Sequence, residues 1–216
     1  MDSHLETVPR IDAWRPVGII RANARAYLAL NAVTYGLFVV GFVVGLYAPH
    51  LNRAQVTRLN EDGTTDLVRS LIEQPWLFAL TILAVNTVKM GLATIVLPSM
   101  IVPFAGIPLF AYWAFTTGIT LVPGSDIGWV ALIPHSVTLV IELQAYILFA
   151  LGAYVLGRSW LWPMSVDAEN RRTGYARGLR RLGWLSLPAA ALLVVGAVYE
   201  AFSLRYFVHP LAQWLL

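Results

Sequence analysis

The sequence predicts an all-α fold, a polytopic membrane helical bundle of five transmembrane helices with a cytoplasmic N-terminus and an N-terminal interfacial helix. Three observations carry this expectation. Of 216 residues, 58% are hydrophobic and 12% charged, half the roughly 25% charge of a soluble domain, and mean hydropathy is +0.66. The thirty residues from Gly128 to Gly157 hold no Lys, Arg or Asp. As a helix they reach roughly 45 Å, enough to cross a hydrocarbon core of about 30 Å. Thirdly, arginine is concentrated in some connecting segments and sparse in others, the asymmetry that orients membrane proteins.

Taken in order, residues 1–26 read as an amphipathic interfacial segment, with Trp14, Val17, Ile20 and Ala24 on one side and Arg21 and Arg25 on another. The first apolar run begins only near Tyr27, after this mixed-charge stretch, so no signal peptide is read. A single transmembrane domain then covers 27–210, with spans near 27–48, 76–97, 102–122, 128–157 and 184–207. Gly41 and Gly45 in the first span form a small-xxx-small pair that lets another helix come close. Residues 49–75 read as two short helices around a turn at Gly63. Pro103 and Pro108 predict a kinked start to the third span. Residues 158–183 read as a basic loop containing a short surface helix over Tyr175–Leu182.

Arginine counts set the orientation. The leader contributes Arg10, Arg15, Arg21 and Arg25, and the basic loop contributes Arg158, Arg171, Arg172, Arg177, Arg180 and Arg181. Residues 49–75 hold only Arg53, Arg58 and Arg69, the turn at Pro123 none, and the C-terminal end Arg205. Five spans put the two richest segments on one face, the cytoplasmic one. Arg171, Arg172, Arg177, Arg180 and Arg181 are then a cytoplasmic basic surface, open to anionic lipid or a cytosolic protein. No folded basic domain surrounds them, so nucleic acid is not an expected partner.

Polar residues inside spans are the candidate site, because an ionisable group in hydrocarbon is costly. The intramembrane polar cluster is Asn86, Lys89, His135, Glu142 and Glu200, with Asn31 and Gln144 also inside spans. His135 and Glu142 are seven residues apart and share a helix face, and Pro134 beside them predicts a helix break. Two readings stand. In one the cluster lines a polar path. In the other Lys89 neutralises a glutamate, Asn86 bonds across helices, and the set only fixes the bundle.

Other chemistries lack their residues. The chain has no cysteine, hence no disulfide or thiolate metal site. There is no HExxH, and about 10 Å of helix between His135 and Glu142 is too far for one ion. No Walker glycine loop is present, so nucleotide hydrolysis would belong to a partner. No catalytic residue, metal or cofactor is expected.

The run Phe78–Leu92 (FALTILAVNTVKMGL), a Pro/Gly-rich connection, and Leu132–Gly157 (LIPHSVTLVIELQAYILFALGAYVLG) resemble the stage II sporulation protein M family of integral membrane proteins. Pro134 and His135 match that family's proline–histidine–glycine stretch, with Ser136 where glycine is usual and Glu142 somewhat further along. Glu200 fits its C-terminal helix, and the resemblance covers roughly 27–210. It implies a non-enzymatic protein of the prokaryotic cell membrane that anchors or organises envelope partners, as founding members do for wall-degrading proteins in engulfment. Such proteins are also similar to membrane subunits of ABC-2-type exporters. That implies the alternative of a permease-like subunit, working with a separate ATPase or forming a homo-oligomeric path. A water-filled groove reaching His135 and Glu142 would favour the permease; dry packing with Lys89 paired to a glutamate would favour the scaffold.

Overall fold

The computed structural model describes residues 16–216, so Arg10, Trp14 and Arg15 of the expected interfacial segment lie outside the described residues. Among the described residues all regular structure is helical. A short α1 (Pro16–Ala22) leads into α2 (Ala24–Tyr47), followed by α3 (Pro49–Glu61) and α4 (Thr64–Leu71). α5 (Pro75–Ala84) continues through a π-helical segment (Val85–Val96) into α6 (Leu97–Ile101), one rod of 27 residues. Next come α7 (Gly106–Thr120), α8 (Asp126–Leu161), a 3-10 turn (Pro163–Val166), α9 (Arg171–Tyr206) and α10 (Val208–Leu215).

Among the described residues four helices are long and apolar enough to cross a membrane: α2, the Pro75–Ile101 rod, α8 and α9. α8 is the axis, since 78% of its most apolar stretch is buried, against 17%, 22% and 33% for the other three. The segment expected to be the third span is shorter than its sequence implied. α7 has 15 residues and reaches roughly 22 Å, less than a hydrocarbon core of about 30 Å. Its start is delayed because Val102 is extended and Phe104 takes a left-handed φ of 68°. The chain then folds back tightly. The Gly106 N–H donates to Ser99 Oγ at 2.9 Å, and a Cβ on Gly106 would run into the Ile95 carbonyl.

Close approach also fixes α2 against α7, the role expected of the Gly41 and Gly45 pair. Gly41 meets the Phe115 backbone and Gly45, one turn on, meets the Ile119 backbone. The register advances the same way along both helices, so α2 and α7 run parallel. On α8 and α9 the register reverses: Gly152 meets Leu182, whereas Gly178 meets Leu156. These two 36-residue helices are antiparallel. Each reaches roughly 54 Å, well beyond the hydrocarbon core.

Two expectations are corrected here. Pro134 does not break its helix, because α8 is continuous across it. The ring is buried, and a membrane bundle tolerates the one lost intrahelical bond when neighbours enclose the site. Nor is 158–183 a loop with a short surface helix. α9 begins at Arg171, capped by the Asn170 side chain accepting from the Thr173 N–H at 2.9 Å. Gly174, Gly178, Leu182 and Leu185 then hold the same helix face against the bundle. The spacing that reads as a surface helix is the first third of a long one.

The expected pair of short helices after the first span is present as α3 and α4, with Gly63 between them at φ 77°. Asn52 on α3 donates to the carbonyls of Ile119 (2.8 Å), Thr120 and Val122 (3.2 Å each), closing the otherwise open end of α7. At the opposite end of the bundle α1 inserts Ile19, 2% exposed, into the main core. Val17, which the sequence pairs with Ile20, is instead 57% exposed.

Candidate functional site

Along α8, His135, Thr138, Glu142 and Tyr146 follow one another at spacings of three, four and four, which places them on a single face. α9 runs antiparallel to that face and delivers Glu200 from the other side. Gly196, one turn before Glu200, keeps α9 close: a Cβ there would lie 3.4 Å from Glu142 Cγ. The third contributor is Asn86, in the first turn of the π-helical segment.

Two contacts knit the three helices. Asn86 Nδ2 donates to Glu142 Oε1, and His135 Nδ1 lies 3.4 Å from Glu200 Oε1. Glu142 is 8% exposed. Thr138 Oγ1 and Tyr146 OH are buried on the same face without a hydrogen-bond partner. Sequence reading overlooked both, although each lies one turn from Glu142. A cavity of about 200 Å³ reaches Asn86, Glu142 and Glu200 beneath α4 and α5. A second, of about 300 Å³, reaches His135 and Glu200 beside the turn after α7. Glu200 lines both. Each cavity is walled mostly by apolar side chains, with the ionisable groups set into the wall.

The structure separates Lys89 from this cluster. Its side chain is on the exposed surface, and among the described residues no ion pair joins it to Glu142 or Glu200. Sequence reasoning places it beside Asn86 by α-helical spacing, but π winding takes more residues per turn and rotates positions three apart onto different faces. Its charge instead acts on Asp62 between α3 and α4. That carboxyl is held below its usual range chiefly by the Thr64 hydroxyl (2.5 Å) and backbone N–H (3.0 Å), with Lys89 adding to the effect.

A second polar knot has the opposite character. Gln144 Nε2 donates to Asn31 Oδ1 at 2.8 Å and to Tyr35 OH at 3.0 Å, while Gln144 Oε1 accepts from Tyr27 OH at 2.8 Å. Every polar atom of that amide group is occupied, which is what interhelical glue requires. The glutamate centre, with two unpartnered hydroxyls and two adjoining cavities, is not closed in this way. Carboxylates with an imidazole and an amide can hold a proton or a small organic cation. Among the described residues no group of three or more His, Cys, Asp or Glu is placed to hold a metal ion.

Of the basic surface, Arg171, Arg172 and Arg180 are exposed on the first turns of α9. Arg177 is turned inward, its Nη1 donating to the carbonyls of Val166 and Asp167 at 2.7 Å each, and Arg181 is half-buried.

The sequence profile of the family described as stage II sporulation protein M matches residues 34–203, which runs from within α2 through most of α9 and takes in every residue of the glutamate centre. The chain belongs to the stage II sporulation protein M family. Comparison with curated proteins gave no match, and neither did comparison with solved structures. As a stage II sporulation protein M family member with four long apolar helices, the chain is a non-enzymatic, multi-pass protein of the prokaryotic cell membrane, in contact with the lipid bilayer.

Proposed function

We propose that this chain is a permease-like membrane subunit, powered by a separate ATPase, whose glutamate centre handles a proton or small polar cation. The observation that carries the reading is the junction of two cavities at Glu200. A purely structural ion pair calls for a dry site and a neutralising cation. Here Lys89 is turned away, and Thr138 and Tyr146 present hydroxyls with nothing to bond. An unsatisfied polar group inside a membrane costs several kcal/mol, roughly what a ligand or water at the site returns.

In this reading α7 is the fifth crossing. Its parallel register with α2 is the direction that strict alternation demands. The N-terminus is cytoplasmic, ahead of one transmembrane domain, 27–210. Exposed Arg171 and Arg172 are then available to an ATPase.

The scaffold reading has its own support. α3 and α4 form a hairpin that carries Leu51 and Val56 at 40% exposure each. Such a face suits an envelope partner.

Purification of the full chain in mild detergent, with identification of what co-purifies, tells the two apart. The permease reading expects an ATPase, and it expects Glu142→Gln and Glu200→Gln to abolish activity while membrane insertion and folded yield stay normal. Co-purification of a wall-remodelling or other envelope protein without an ATPase, together with activity retained in both variants, would overturn it.

A further inference from the structure

The richest concentration of positive charge lies at the other end of the bundle. There α1, the first turn of α2 and the last turn of α8 surround a cavity of about 610 Å³ lined by Arg21, Arg25 and Arg158. Behind it a smaller cavity of about 140 Å³ is lined by Arg158 again, with Arg181, Ser159 and Ser165. Ala22, Asn23 and Arg158 border both, so the two form one stepped hollow. Among the described residues neither Asp nor Glu lines it.

The hollow is built by small residues. Ala22, Ala24 and Ala26 leave the space between guanidinium groups that longer side chains would fill. Asn23 is held in place by its own Nδ2 donating to the Ile19 carbonyl at 2.9 Å, and its Oδ1 accepts from Arg158 Nη1 at 3.4 Å. Ile19 is anchored in the core, so the floor of the hollow is rigid. Tyr154 closes the wall on the side of the transmembrane region. Three like charges around one space repel unless an anion sits among them. Guanidinium forks match phosphate oxygens two at a time, and basic hollows between membrane helices at the headgroup level take phospholipid headgroups.

We propose that this hollow binds the phosphate ester of an anionic phospholipid, held between Arg21, Arg25 and Arg158. Its acyl chains leave past Tyr154, and the bound lipid ties α1 to the end of α8. The site is independent of the glutamate centre and of how that centre is used.

The test uses the full chain in neutral detergent, titrated with phosphatidylglycerol or phosphatidylcholine in mixed micelles and read by native mass spectrometry. Phosphatidylglycerol should bind the tighter. Each arginine near a headgroup contributes about fivefold in affinity, so Arg21→Ala with Arg158→Ala should weaken phosphatidylglycerol about 30-fold. Phosphatidylcholine, whose choline cation cancels the charge of its phosphate, should weaken by much less. The double lysine variant, which keeps the charge and removes the fork, should recover part of the loss and so separates binding from folding. Arg171→Ala with Arg172→Ala, on the exposed start of α9, should cause no comparable loss.

Excess inorganic phosphate distinguishes the source: retention of phosphatidylglycerol against it assigns the ligand to lipid, and displacement assigns the hollow to soluble phosphate and overturns the lipid proposal. Equal binding of the two lipids would overturn the proposal. So would equal loss in the α9 variant. The chain's own Asp2, Glu6 and Asp12 are the competing occupant; if replacing all three with their amides tightens phosphatidylglycerol, that segment fills the hollow and the proposal fails.

Discussion

Replacing Gln144 with Leu separates structural glue from the glutamate centre. The substitution keeps the side chain near its original size and removes three hydrogen bonds, those to Asn31, Tyr35 and Tyr27. Interhelical hydrogen bonds in membrane proteins average about 0.6 kcal/mol each, so three give about 2 kcal/mol. Asn31 retains its bond to the Tyr27 carbonyl at 2.8 Å, and both tyrosines lie on α2, where few residues are buried. No large desolvation cost is therefore added. For a chain of this size about 2 kcal/mol lowers Tm by about 4–8 °C. The assay is thermal unfolding in detergent followed by size-exclusion or tryptophan fluorescence, alongside Glu200→Gln. The glutamate variant loses one long contact to His135 and should shift Tm by no more than about 2 °C. If Gln144→Leu leaves Tm unchanged, or Glu200→Gln is the more destabilising, the division into a closed knot and an open centre is wrong.

Two further predictions follow from packing and exposure. Lys89→Met should change stability by less than about 0.5 kcal/mol, because the side chain is exposed and pairs with neither glutamate. A loss of several degrees in Tm would show that it neutralises the centre after all. Gly106→Ala should cost about 1–3 kcal/mol, since the new methyl group meets the Ile95 backbone, which cannot swing aside. Reduced folded yield by size-exclusion chromatography checks this, with Gly36→Ala, which meets nothing within 4 Å, as the neutral comparison.

The all-helical membrane class was legible because hydrocarbon permits few alternatives, and long uncharged runs such as Gly128–Gly157 leave no doubt about burial in lipid or protein. The sharing of one face by His135 and Glu142 also follows from spacing, and a bond from Asn86 across helices from the cost of lone polar groups in a membrane, but its partner Glu142 comes only from the fold. What spacing missed was winding. Lys89 left the cluster because Val85–Val96 is π-helical, and no side-chain pattern in that segment announces a change of pitch. The α9 start was hidden for a different reason. Six arginines between Arg158 and Arg181 read as a surface segment, whereas small residues at Gly174 and Gly178 fasten the same stretch to α8. Pro134 misled in the opposite direction, since enclosure by neighbouring helices outweighs one lost hydrogen bond. Gly41 and Gly45 gave a helix contact that sequence supports but not its partner, which depends on the fold bringing α7 alongside.

Because the chain has no cysteine, the central claim can be tested with single cysteines and no background. Ala131→Cys and Ile82→Cys place a thiol in each of the cavities that meet at Glu200, and Val195→Cys places one on an exposed apolar face of α9. A membrane-impermeant reagent attacks only a thiolate in contact with water. Modification of both cavity cysteines, with none at position 195, is the result the account predicts. Cavity cysteines as inert as the one at 195 would mean that the glutamate centre is sealed in apolar surroundings, and the functional reading would fall.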